Sequence, residues 1–189
     1  MWAFLGSDVM FFGSFIATFL IYRNRSLVGP YPADILDIPL TTISTFVLLM
    51  SSLAMVLALH YVRDGKKISG RFWIFMTAAL GITFLMFQVY EFSAFVNEGL
   101  TPRTNLFGST FFILTGFHGA HVTFGVAWLL FLLFAHFKGA LRADNSLDLE
   151  IAGLYWHFVD IVWIVIFTVV YLVTANDVAP PGAPPFLPH

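Results

Sequence analysis

Asp8, Glu91, His118, His121, His157 and Asp160 are ionisable side chains set inside long apolar runs. At bilayer depth such a group costs about 2.5–3.5 kcal/mol on insertion scales, so each needs a partner, water or a use. Asp8 stands in Leu5-Gly6-Ser7-Asp8-Val9-Met10, about 9 Å in from the start of its run at helical rise. It is either an interfacial carboxylate reached by water or a buried one that exchanges protons, and it is the candidate for proton uptake. Glu91 follows Gln88 by three residues, on the same helical face, and reads as a hydrogen-bonded structural carboxylate. His118 and His121 are three apart, and His157 and Asp160 repeat that spacing. Imidazole pairs can bind zinc, copper or iron. A metal site inside a membrane needs three or four ligands and a supporting shell, and two histidines on one helix are at most half of one. Interhelical hydrogen bonding is the default for both pairs, with His157–Asp160 as an orienting bond. No metal site and no catalytic residue is assigned. No nucleophile–base pair has an orienting third group, there is no glycine-rich phosphate loop, and the chain has no cysteine for thiolate chemistry.

The elements that must position these residues are membrane helices. The chain of 189 residues is 59% hydrophobic and only 11% charged, against about 25% charged in a soluble domain, and its mean hydropathy is +0.85. With a net charge of −2 and no basic run, nucleic acid is not an expected partner. Crossing about 30 Å of hydrocarbon takes about 20 apolar residues. Five stretches qualify: 2–22, 40–62, 72–95, 109–137 and 153–174. The fold class is therefore all-α, a polytopic bundle of five transmembrane helices over 1–176, followed by a proline-rich extracytoplasmic tail over 177–189. The first stretch has no basic residue before it, so it reads as a retained helix and not a cleaved signal. Proline and glycine at Gly29, Pro30, Pro32, Pro39, Gly99 and Pro102 mark loops.

Loop charge sets the expected orientation. Arg63, Lys66, Lys67, Arg71, Lys138 and Arg142 fall on one side, against Arg23, Arg25 and Arg103 on the other. The richer side is cytoplasmic, which puts the N-terminus inside and the C-terminus outside. Arg63, Lys66, Arg71 and Lys138 are candidates for lipid headgroups. Gly13 with Ala17, and Gly116 with Ala120, have the four-residue spacing that lets helices approach closely.

Four motifs together resemble subunit III of the haem–copper terminal oxidases. They are Met1 to Phe12 (MWAFLGSDVMFF), Gln88 with Tyr90-Glu91-Phe92, Phe117-His118-Gly119-Ala120-His121-Val122, and Trp156-His157-Phe158-Val159-Asp160-Ile161-Val162-Trp163. The last two are specific, and they occur in the family's order over 1–174. The resemblance implies a five-helix, non-catalytic subunit of a proton-pumping oxidase of the cytochrome c type, in the plasma membrane of a prokaryote. It implies oxidase subunit I as main contact and subunit II as a further partner, which hold the haem and copper, and bound phospholipid as this chain's own ligand. Members using cytochrome c commonly have Ser-Glu where this chain has Ser7-Asp8. Asp at that place is similar to the quinol oxidase branch and to the accessory subunits of nitric oxide reductases, and these are the alternatives. A reading of another class is an autonomous membrane metalloprotein using His118 and His121.

Overall fold

The computed structural model describes residues 1–23, 36–139 and 146–174. They form five helices: α1 (Trp2–Tyr22), α2 (Ile38–Arg63), α3 (Lys67–Asn97), α4 (Leu106–Phe137) and α5 (Leu147–Ile166). A π-helical segment, Phe167–Leu172, extends α5. All five spans are long and apolar enough to cross a membrane. The expected tail, 177–189, lies outside the described residues, as does Arg142.

Four of the helices are longer at their start than hydropathy suggests. α3 begins at Lys67, not near Phe72, and α5 at Leu147, not near Gly153. Backbone hydrogen bonding continues through the polar turns, while a hydropathy window stops at the last apolar residue. Side-chain caps set the starts of α2 and α4. The Asp37 side chain accepts from the Leu40 amide at 3.1 Å, with Pro39 inside the first turn and not in the loop. The Asn105 side chain accepts from the Gly108 amide at 2.7 Å. The turns after α2 and α4 use Gly65 and Gly139 at φ 71° and 75°, a left-handed conformation that glycine adopts without steric cost.

Helices α2 to α5 close a ring, each packed on its sequence neighbour and α5 packed back on α2. α1 lies outside the ring, mainly on α4, and is 17% buried over its span where the other four are 33–50% buried. The ring core is built on Trp156, whose indole fills the space left by two glycines. A Cβ on Gly81 would come within 2.6 Å of that ring, and one on Gly125 within 2.9 Å. The pairs Gly13/Ala17 and Gly116/Ala120 are not the packing seams expected of them. Nothing lies within 4 Å of a Cβ built on Gly13 or Gly116, because four-residue spacing creates a small face without deciding which way the helix turns it.

Candidate functional site

α1 carries Asp8 to the face that meets α4. Its carboxylate Oδ2 lies 3.6 Å from His121 Nε2, with the two side chains 12% and 20% exposed. His121 Nδ1 lies 2.7 Å from the carbonyl of Phe117, one turn back. A carbonyl only accepts, so Nδ1 carries the hydrogen in that bond. In neutral imidazole Nε2 then presents a lone pair to Asp8. Phe12 covers this pair, its ring 5.0 Å from that of His121, and the Tyr155 hydroxyl donates to the His121 carbonyl at 3.0 Å. Asp8 is thus buried against a histidine.

His118 shares the helix with His121 but not its surroundings. Its ring is wholly buried and stacks on Trp163 of α5 at 4.8 Å, with Phe84 of α3 edge-on at 6.0 Å. Neither ring nitrogen has a hydrogen-bond partner. The interhelical hydrogen bond expected of His118 is therefore absent, because its neighbours are aromatic faces. Among the described residues no three His, Asp or Glu side chains gather where they could hold a metal ion. His118 and His121 have no third ligand there.

Glu91 lies where α2, α3 and the π-helical segment meet. It accepts from Thr41 of α2 at 2.7 Å and from the Tyr171 hydroxyl at 2.9 Å. Gln88, one turn earlier, donates to the Thr115 carbonyl of α4 at 2.7 Å. The π-helical segment brings Tyr171 round to Glu91. Such segments insert an extra residue per turn and rotate the side chains beyond it.

His157 and Asp160 do not bond to each other. His157 Nδ1 turns instead to the Ser52 hydroxyl of α2, at 2.6 Å, and both Asp160 oxygens are buried without a hydrogen-bond partner. Residues three apart share a face, but the nearest polar group lay on another helix. Sequence reasoning overlooked Ser52, Ser51 and Thr45. Their signal is a file of small hydroxyls at helical spacing along an apolar segment, facing the tryptophans of α5.

The four headgroup candidates sit at one rim, each with a partner inside the chain. Arg63 pairs with Glu150 at 2.8 Å, and Lys66 with Asp64 at 3.4 Å. The Arg71 guanidinium lies over Phe137 at 4.7 Å and donates to the His136 carbonyl at 3.2 Å. Lys138 lies over Phe134 at 4.5 Å.

The sequence that folds this way has a match in one family. The family model described as cytochrome c oxidase subunit III matches residues 1–175. The chain belongs to the cytochrome c oxidase subunit III family. It is 40% identical over 173 residues to the probable quinol oxidase subunit 3 of Staphylococcus haemolyticus, covering 91% of this chain and 86% of the relative. It is 41% identical over 172 residues to the cytochrome c oxidase subunit 3 of Alkalihalophilus pseudofirmus, covering 90% and 84%. With the quinol oxidase subunit 3 of Bacillus spizizenii identity is 40% over 171 residues, again covering 90% and 84%. Five membrane-capable helices and these bacterial relatives place the chain among multi-pass proteins of the plasma membrane. Its role is that of a subunit III within a haem–copper oxidase complex.

Proposed function

We propose that this subunit III packs on subunit I of its oxidase, with subunit II in the same complex, and sustains proton uptake through the Asp8–His121 pair. The observation that supports the reading is the Asp8 carboxylate, buried where α1 meets α4 and 3.6 Å from His121 Nε2. The pair stands between the outlying helix α1 and the ring. A movement of α1 would open it to water without disturbing the core. The haem and copper belong to the partner subunits and supply the oxygen chemistry. With its N-terminus inside, the chain brings Asp8 to the cytoplasmic half of the bilayer, the side from which protons are taken. Arg63, Lys66, Arg71 and Lys138 form the rim of the same half, where phospholipid headgroups lie.

The test is Asp8→Ala in the assembled oxidase. Haem content and subunit composition are expected to match the parent, while proton uptake slows or activity is lost after fewer turnovers. Equal uptake and equal working life would overturn the role given to Asp8. The same preparation names the electron donor. Oxidation of cytochrome c is the first expectation. Oxidation of a quinol is the second, favoured by the aspartate at position 8 and by relatives of equal similarity whose names carry quinol oxidase.

A further inference from the structure

The α2–α5 interface contains a carboxylate that the proton-uptake reading does not use. Asp160 is 3% exposed and both its oxygens lack a hydrogen-bond partner. Most of the side-chain donors described at this interface are committed elsewhere. The Trp156 indole donates to Ser51 at 2.9 Å and the Trp163 indole to Thr45 at 3.0 Å. Ser51 and Thr45 in turn donate to the carbonyls of Leu48 and Thr41, at 2.6 and 2.7 Å. The remaining hydroxyl is that of Ser52, held 2.6 Å from His157 Nδ1, and His157 stands three residues before Asp160 on the same face of α5. The other titratable groups of the packed helices face elsewhere. Asp8 and His121 face each other, His118 lies on Trp163, and Glu91 is taken by Thr41 and Tyr171. His157 is half-buried, and its Nε2 is not among the enclosed ring nitrogens.

A serine hydroxyl has one hydrogen to give, so this chain of three groups has a direction. With Asp160 ionised, Nδ1–H donates to Ser52 and Ser52 donates toward the carboxylate, which leaves a lone pair on Nε2. With Asp160 protonated, the carboxylic acid donates toward Ser52, Ser52 donates to Nδ1, and Nε2 carries the hydrogen. The two arrangements differ by one proton.

We infer that His157, Ser52 and Asp160 form a second proton-holding site, in which a proton bound at the open edge of the imidazole is stored on the buried carboxyl. A proton from water forms a bond at Nε2. The proton on Nδ1 passes to Ser52 Oγ as the hydroxyl proton of Ser52 passes to an oxygen of Asp160. The imidazole ends neutral with its hydrogen on Nε2, the serine is unchanged, and Asp160 is a carboxylic acid. A rotation of the Ser52 or Asp160 side chain completes the last bond. Asp8 takes no part, so this site stands or falls separately from the proton-uptake reading.

The test is infrared spectroscopy of the assembled oxidase in lipid. The carbonyl stretch of protonated Asp160 is identified by its loss in Asp160→Asn. If that variant does not assemble, the shift of the band in Asp160→Glu identifies it. Transfer of the protein to deuterated buffer then times exchange at that band. Exchange is expected to slow about a hundredfold in Ser52→Ala and in His157→Phe, the scale of removing a positioned proton-transfer group, and to recover in Ser52→Thr. Absence of the band would overturn the site. So would exchange at the parent rate in Ser52→Ala.

Discussion

The α2–α5 and α1–α4 interfaces both pack aromatic rings around polar atoms, but different forces hold them. At α2–α5 each tryptophan indole is tied to a hydroxyl of the facing helix, Trp156 to Ser51 and Trp163 to Thr45, and the indole of Trp156 is locked between glycines. At α1–α4 the contacts are rings on rings. Phe11 meets Phe117 at 5.3 Å and Phe15 stacks on it at 5.4 Å, and the polar contact beside them, Asp8 to His121, is longer than a hydrogen bond. In lipid the hydrophobic drive between helices is weak, so packing and interhelical hydrogen bonds decide which contacts persist. One interface fixes register. The other rests on ring packing.

The contrast can be broken most strongly at Trp156. Trp156→Ala empties the space between Gly81 and Gly125 and leaves Ser51 without its donor, and is expected to cost about 3–5 kcal/mol, read from denaturant titration of the purified complex. A loss under about 1 kcal/mol would place the core of the ring elsewhere. A middling effect is expected at Phe117→Ala, which removes two of the α1–α4 ring contacts, worth about 0.5–1.5 kcal/mol each. Because the chain has no cysteine, a single Leu5→Cys on the buried face of α1 reports on it. Thiol labelling there is expected to speed up with Phe117→Ala and to stay unchanged with Trp163→Phe. Equal effects would mean that α1 is not the separable element. The smallest change is Trp163→Phe, which deletes one indole–hydroxyl bond and keeps a ring against His118, at about 0.6 kcal/mol in the same titration.

Five helices were legible in the sequence because lipid imposes a length on every span, and Glu91 stood out in it as a carboxylate one turn from an amide. Other features depend on how each helix is rotated about its axis, and spacing along one helix does not carry that. The three-residue spacing gave His118 and His121 one face, yet one ring lies among Trp163 and Phe84 and the other meets Asp8. It gave His157 and Asp160 one face, yet the bond went to Ser52. The small pair Gly13/Ala17 drew attention from Gly81 and Gly125, whose neighbours are large rings and not a second small residue. α1 and its Asp8 were visible as a motif. The histidine that Asp8 meets lies 113 positions away in the chain, a pairing that only the packed helices reveal.

The π-helical segment between Phe167 and Leu172 makes chain length itself a determinant of the bundle's far end. The Val173 amide reaches back five residues to the Thr168 carbonyl at 3.0 Å, and the Val173 carbonyl in turn receives the Arg23 side chain from the end of α1 at 2.8 Å. One residue fewer in this stretch would rewind it as ordinary α-helix and swing everything beyond by about 100°. Tyr171 would then turn from Glu91, and the clasp between the first and last spans would open, although no side chain in either contact had been altered. Spacing here works like the tooth count of a gear, and an insertion or deletion would be felt where no substitution is.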